Sequence, residues 1–499
     1  MTVHTLRRHR VPLLLVFFLV CRLVLLCFAP HTDPSESRYA EIARKMVETG
    51  DWITPQFDYG VPFWAKPPLA IWMSAAGMKL FGVNEFGSRI MLFLAALAVL
   101  ALVADCARRE LGREAGWRAA LFLTGMPLFF FCSAAVMTDI ALLLGSTLTM
   151  VCFRAAILGA PRWRGYGVFV GLAIGLLAKG PLAVVIAVPP MAAWLILSGR
   201  WRGSWKALPW VSGSLLMLAL AVPWYVAAEH RTPGFLEYFL VGEHWKRFTV
   251  RGWQGDLYGN AHPVLPGMIW VDLFLGTCPW CLGLLGAWPW RGERLRRWML
   301  ETDARGLYWL LWALWPVAFF TPARNIIATY PLPALPALAL ILADLVARRG
   351  ATARRLHPGH PVIAGIGVAF VVLAMAVMLF LPARAPKQSE RALVRRFEKE
   401  RSPGDFLVYY GPRKYSAEFY TEGGVRSTTS AAELTGRMEG PGRCFVALPS
   451  YWMPLVPPPI RRRLEFVASW GSGCSLYVER TDLPHMAGID PSKTTPIGN

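Results

Sequence analysis

Residues 11–29 read "VPLLLVFFLVCRLVLLCFA", a run whose only charge is Arg22. As a helix it would extend about 28 Å at ~1.5 Å per residue, close to the thickness of a bilayer's hydrocarbon core. It follows "RRHR" (7–10), as the apolar part of a secretory signal would. No small-residue cleavage site follows it cleanly, and many further apolar runs come after, so it reads as an uncleaved first span.

Working outward, the same pattern fills most of the chain. Of 499 residues, 55% are hydrophobic and only 17% charged, with 22 Trp, far more apolar surface than a soluble protein of this length has to bury. Repeated, nearly uncharged runs identify a mainly α-helical, polytopic membrane protein. About eleven spans are expected, over 11–29, 87–106, 117–133, 138–158, 165–180, 181–198, 207–228, 265–287, 306–321, 327–346 and 361–382. A net charge of +20 would suit a nucleic-acid binder, but the Arg residues cluster in short loops between apolar runs. Those loops are "RRHR", "ARRELGREAGWR", "APRWRG", "GRWRGSWK", "RGERLRRW" and "ARRGATARRLH", every second connection. The positive-inside rule puts them, and the N-terminus, in the cytoplasm. An odd number of spans then leaves the C-terminus outside. Seven of the nine Cys lie in or beside apolar runs, where Cys behaves as a small hydrophobe. Cys278 and Cys281 have redox-motif spacing but lack its βαβ context. Cys444 and Cys474 lie in the exported tail, where a disulfide between them is one option.

Two segments on the outer side are too long to be simple connectors: 30–86 and 229–264. In the first, "SESRYAEIARKMVETG" (35–50) opens on a Ser/Glu cap pattern, carries Ile42, Met46 and Val47 on one face and closes on Gly50. That predicts a short amphipathic helix at the membrane surface. From about 386 the composition changes. "DFLVYYG", "RCFVALP" and "CSLYVER" read as strands and "KYSAEFY" and "AAELTGRM" as helices, so the tail is a small α/β domain. The expected division is a membrane domain over 1–384 and an α/β domain over 385–499 on the periplasmic side.

The remaining polar residues are distributed unevenly. The cytoplasmic loops hold mostly Arg, whereas the outer loops and outer span ends hold Asp33, Glu36, Arg38, Lys66, Asp139, Lys179, Glu243, His244, Lys246, Arg247, Arg324 and Tyr330. Asp139 and Lys179 sit at span ends among apolar residues, where a lone charge costs several kcal/mol unless partnered. Acids beside several cations at a membrane boundary suit a lipid phosphate, which lies at that depth and takes charge-assisted hydrogen bonds. A neighbouring carboxylate can then deprotonate an attacking hydroxyl, with the phosphate as leaving group.

Seven stretches carry a resemblance. "ESRYAEIARKMVETGDWITP", "WAKPPLAIW", "LFGVNEFGSRI", "MTDIALL", "LLAKGPLA", "GEHWKRF" and "ARNIIATYPLPALPAL" follow one another as in the family 39 and aminoarabinose-transferase-like glycosyltransferases. The resemblance covers residues 1 to about 345. It implies the GT-C membrane fold, with 30–86 as a catalytic loop carrying interfacial helices. It also implies inverting transfer of a sugar from a polyprenyl phosphate to a lipid, glycan or protein acceptor at the periplasmic face of a bacterial inner membrane. Lys66, Arg247, Lys179, Arg324 and Arg38 would bind the phosphate. Tyr39, Glu243, His244 and Tyr330 would line the cavity, and Asp139 would orient the acceptor or the loop.

Two positions depart from the family pattern. Relatives read Asp-Glu before "xRYAE", with the Asp as base; here those positions are Ser35 and Glu36, and the nearby Asp is Asp33. Either Glu36 or Asp33 takes the role. The aminoarabinose transferases also read a Glu before "KPP" that helps hold a divalent metal with the His of the "EH" motif. His244 is present, but Ala65 replaces that Glu, so the implied metal site lacks a ligand and lipid A specificity does not carry over automatically. Two other classes fit parts of the pattern. A transporter or flippase for lipid-linked sugars would place charges at the membrane midplane and repeat broken helices in two halves, which this sequence does not do. A non-catalytic binder of lipid-linked sugars would tolerate Ser35 and Ala65.

Overall fold

The computed structural model describes residues 3–259, 262–287, 292–349, 389–470 and 473–480, with short stretches between 365 and 376. They fall into two compact units, one drawn from Met1–Cys27 and Lys45–Met375, the other from Phe28–Arg44 and Ala376–Asn499.

The first unit is a multi-pass helical assembly. Four of its described helices are long and apolar enough to cross a bilayer: Val11–Phe28, Glu85–Leu111, Asp139–Ile157 and Trp210–Arg231. Other expected spans are shorter or interrupted, for local reasons. The run 117–133 breaks into helices Arg113–Thr124 and Pro127–Cys132. Pro127, with no N–H to donate, starts the second, and a side chain on Gly125 would meet Trp280 at 3.0 Å. The run 265–287 breaks before Pro279 into Met268–Thr277 and Trp280–Ala287. Helix Gly292–Phe320 loses helical geometry over Glu301–Ala304. The eleventh expected span, 361–382, lies largely outside the described residues.

The Arg-rich loops contain more than solvated cations. Arg154 is buried against Glu110 (2.9 Å), Arg164 against Asp105 (2.9 Å) and Arg305 against Asp344 (3.1 Å). A buried guanidinium needs such a partner, so the acids at these helix ends knit neighbouring helices together there.

The helix expected over 35–50 forms as Ser35–Thr49. Gly50 closes it with a φ of 69°, its N–H reaching the Met46 carbonyl at 3.1 Å. Its polar residues also pair among themselves, Glu41 taking two hydrogen bonds from Arg44 at 2.7 and 2.8 Å.

In the second unit the tail forms a five-stranded mixed sheet. Its strands are β3 (Phe406–Tyr410), β4 (Arg426–Thr428), β5 (Cys444–Pro449), β6 (Leu464–Trp470) and β7 (Cys474–Glu479), in the order β4-β3-β5-β7-β6; β1 (Gln56–Asp58) and β2 (Val61–Pro62) form a separate hairpin in the first unit. The expected strands are β3, β5 and β7, and both expected helices form, as Tyr415–Tyr420 and Ala431–Met438. Cys444 and Cys474 are both free. Antiparallel register sets Cys474 opposite Pro449, at the far end of β5 from Cys444. Five residues of strand are about 17 Å, so the disulfide option is closed.

Candidate active site

Helices Asp139–Ile157 and Arg162–Lys179 pack tightly because glycines face each other: a side chain on Gly145 would meet the Gly171 carbonyl at 2.6 Å. Small residues at a membrane helix crossing let backbones approach in this way. The antiparallel pair thus brings the first residue of one helix, Asp139, to the last of the other, Lys179. Each charge complements its helix dipole. Lys179 Nζ donates to Asp139 Oδ1 at 2.8 Å, and Thr329 Oγ1 donates to the same oxygen at 2.7 Å. The ammonium also lies 5.0 Å from the centroid of the Tyr330 ring.

The "EH" motif lies on a π-helix, Tyr238–Lys246, a rare form that is frequent at functional sites. Glu243, with its side chain wholly buried, accepts from Lys66 Nζ at 2.6 Å, from Arg247 Nη1 at 3.0 Å and from the Tyr238 hydroxyl at 3.3 Å. Arg247 also reaches Asp256 at 3.1 Å. Burial pushes the Glu243 carboxyl upward, but the Lys66 and Arg247 charges outweigh it and hold the group below its ordinary range.

These residues surround one cavity of about 380 Å³, lined by Lys66, Lys179, Glu243, His244, Arg247, Asn325 and Tyr330 together with apolar side chains that include Leu182, Val185, Leu240, Phe248, Phe319 and Phe320. That volume suits a small-molecule site. Cations beside an apolar wall suit an amphiphile whose anionic group meets Lys66, Lys179 and Arg247.

His244 does not offer a metal an open ligand. Its Nδ1 faces the Phe239 carbonyl at 2.7 Å and its Nε2 the Lys179 carbonyl at 3.1 Å. Burial lowers its proton affinity. Ala65 supplies no ligand, and among the described residues no group of three or more His, Cys, Asp or Glu is arranged to hold a metal ion. The residues present do not fit the metal that the resemblance implies.

Gly180, which follows Lys179, has a φ of +67° and would place a side chain 2.5 Å from Phe239. Gly180→Ala is expected to lower stability by about 2–4 kcal/mol, combining left-handed strain with overpacking, and to loosen the Lys179–His244 contact. Thermal unfolding in detergent checks this; an unshifted melting temperature would show that the loop accommodates the methyl group.

Sequence reasoning missed Asn325. Its Nδ2 donates to the carbonyls of Arg247 (2.6 Å) and Val250 (2.7 Å), and its Oδ1 accepts from Gly252 N at 3.0 Å. It pins the chain that follows the π-helix. The signal was an uncharged polar residue inside "ARNIIATYP". Arg324 is exposed and is not among the residues that line the cavity; its backbone N–H donates to the Phe248 carbonyl at 3.1 Å.

The other candidates belong to the second unit. Asp33 Oδ1 accepts from Ser416 N at 3.0 Å, and Oδ2 accepts from Ser416 Oγ. Burial lifts its carboxyl above the ordinary value, against the Ser416 hydrogen bond and the Lys414 charge. Glu36 Oε2 takes two longer contacts, from Thr32 N at 3.3 Å and Thr32 Oγ1 at 3.4 Å, and Oε1 lies 3.6 Å from His31 Nδ1. The Arg38 guanidinium lies over the rings of Tyr39 (5.6 Å) and Tyr415 (6.0 Å).

Comparison with known proteins gives these residues a family setting. Residues 12–239 match the family described as dolichyl-phosphate-mannose-protein mannosyltransferase. The undecaprenyl phosphate-alpha-4-amino-4-deoxy-L-arabinose arabinosyl transferase of Aeromonas hydrophila is 31% identical over 76% of this chain and 68% of its own length. That of Edwardsiella ictaluri is 31% identical over 69% of this chain, which spans only 61% of that relative. In fold, the chain is similar to ArnT from Cupriavidus metallidurans bound to undecaprenyl phosphate. The TM-score is 0.77 at 19% identity, covering 96% of this chain and 99% of that one.

Proposed function

Since this chain belongs to the aminoarabinose-transferase-like family of GT-C membrane glycosyltransferases, we propose that it moves a sugar from a polyprenyl-phosphate donor to a lipid, glycan or protein acceptor, with inversion. One observation carries the reading: Lys66, Lys179 and Arg247 converge on a single cavity with an apolar wall. The relatives' names make undecaprenyl phosphate-linked 4-amino-4-deoxy-L-arabinose the first donor to test.

In the reaction, an acceptor hydroxyl attacks the anomeric carbon while the bond from that carbon to the phosphate oxygen breaks. The hydroxyl proton goes to a carboxylate, and the polyprenyl phosphate leaves with one more negative charge than it had as a diester. Lys66 and Arg247 stabilise that developing charge, the term that usually dominates such catalysis. Lys179, held by Asp139, adds a third cation. Arg324 and Arg38, outside the lining of this cavity, are given no contact to the phosphate. Glu243, His244 and Tyr330 shape the cavity. Glu36 is the assigned base, because it directly follows the position where relatives carry the acid and its longer side chain can reach the same place, whereas Asp33 is held by Ser416.

The chemistry is assigned to the periplasmic face of a bacterial inner membrane, with the N-terminus cytoplasmic, the transferase domain over 1–384 and the α/β domain of 385–499 outside. A reporter active only outside the cytoplasm should be active when fused after residue 390 and silent when fused near Arg297. The reverse would move every assigned residue to the wrong side. Transfer itself is tested with the full chain in proteoliposomes and a radiolabelled donor. Label that crosses the bilayer still on its carrier would indicate a flippase. Label bound but never transferred would indicate a binder.

A further inference from the structure

The loop that carries the assigned base is built into the tail domain's unit, although hundreds of residues separate them in sequence. Residues 28–44 belong with 376–499 in the second compact unit. The attachment is specific. The His31 N–H donates to the Tyr420 hydroxyl at 2.8 Å, and the wholly buried His31 ring meets Phe419 edge-on at 4.6 Å between centroids. Ser416, also wholly buried, gives Asp33 both its backbone N–H and its hydroxyl. The same hydroxyl oxygen accepts the Glu390 N–H at 2.9 Å, just before helix Arg391–Glu400. Asp33 is therefore one corner of a junction that also fixes the starts of two tail helices. Arg391 adds a hydrogen bond to the Phe28 carbonyl at 2.8 Å.

A carboxylate clasped by a buried N–H and a buried hydroxyl cannot swing toward a substrate hydroxyl without leaving those donors unsatisfied. Its position three residues before Glu36, at the entrance to helix Ser35–Thr49, suits a different task. We infer that Asp33 is a positioning residue: clasped by Ser416, it fixes the loop that presents Glu36, and the tail domain is thereby part of the transferase machinery. This rests on the sugar-transfer reading for its catalytic consequence, but the clasp itself does not.

The test uses the full chain in detergent or proteoliposomes, with amide hydrogen exchange and donor kinetics on Asp33→Asn, Ser416→Ala, the double variant, and Tyr420→Phe as a milder change that keeps the ring. Exchange at residues 31–38 should quicken about tenfold in the first three and less in Tyr420→Phe, while helix Asp139–Ile157 is unchanged. The kcat should fall about tenfold in Asp33→Asn and in Ser416→Ala, and less in Tyr420→Phe, with KM for the donor and the acidic limb of the pH profile unmoved. The double variant should be no worse than the poorer single one, as expected for two ends of one interaction. Unchanged exchange overturns the clasp. Faster exchange with unchanged kcat overturns its role in positioning. Loss of all activity in Asp33→Asn with normal exchange makes Asp33 the base and overturns the inference. If the unaltered chain transfers no sugar, the proposed function fails, and exchange alone decides the clasp.

Discussion

Arg247→Ala and Lys66→Ala are each expected to lower sugar transfer by about 100-fold or more, with most of the loss in kcat. Both cations line the cavity and both bind Glu243, Lys66 through Oε2 and Arg247 through both carboxylate oxygens. As the phosphate leaves, its charge grows, and removing one preorganised donor to such a charge costs about 100- to 1,000-fold. A purely structural role predicts something else. Each truncation leaves the buried Glu243 with one cation in place of two, and the loss would then appear as reduced thermal stability at near-normal turnover. Comparing kcat with melting temperature separates the cases, and near-normal turnover in either variant removes that residue from the site. Mild acid should not mimic the mutations. Glu243's lowered pKa means the ion cluster's contribution is present above the ordinary carboxylate range and is lost only as pH falls through the lowered value. An activity that collapsed within the ordinary carboxylate range would therefore report another group.

Much of this site was legible in the sequence because its signals are local. Asp139 and Lys179 are charges at the ends of apolar runs, and charges placed there need a reason; Lys66 and Arg247, in the outer loops, take their assignment from the family resemblance. Helix Ser35–Thr49 follows from a cap and a closing glycine. What failed to show depends on distant partners. The break at Glu301–Ala304 is held by Arg154, which reaches the Thr302 and Asp303 carbonyls at 3.1 Å each, and by the Trp194 indole, which donates to the Ala304 carbonyl at 3.0 Å. No pattern within 292–320 announces those donors. The two strands missed in the tail, β4 and β6, are the two edges of its sheet. An edge strand is half solvated, so its alternation is weak; Phe466 of β6 is exposed. The commitment of Asp33 to Ser416, 383 residues away, is of the same kind. In sequence alone, Pro34 inclines Asp33 toward bracing the turn and leaves Glu36 the better-placed base, but the partner that holds Asp33 does not show.

The hydrogen bonds set Asp33 apart from Glu36, and the decisive substitution is Glu36→Gln. It keeps the size of the side chain and its acceptance of the Thr32 N–H, but it cannot take a proton. Loss of a general base costs about 100- to 10,000-fold, so transfer should fall into that range while exchange at residues 31–38 stays normal. Ser35 occupies the position where relatives carry the acid, and an unassisted hydroxyl remains protonated at neutral pH. Ser35→Asp should therefore be tolerated or raise the rate, and it should restore turnover to Glu36→Gln if the loop can present either carboxylate. Donor binding, measured with a radiolabelled donor under non-turnover conditions, should survive Glu36→Gln, because Lys66, Lys179 and Arg247 are untouched. A Glu36→Gln enzyme that transfers sugar at the normal rate would show that Glu36 only caps its helix. If Asp33→Asn were also active, no carboxylate of this loop would be the base, and Asp139 would be next in line. Its carboxylate already holds Lys179 and Thr329, so to serve as base it would have to exchange one of those partners for the acceptor hydroxyl. In that case Thr329→Val, by freeing the oxygen, should change the pH profile as well as the rate.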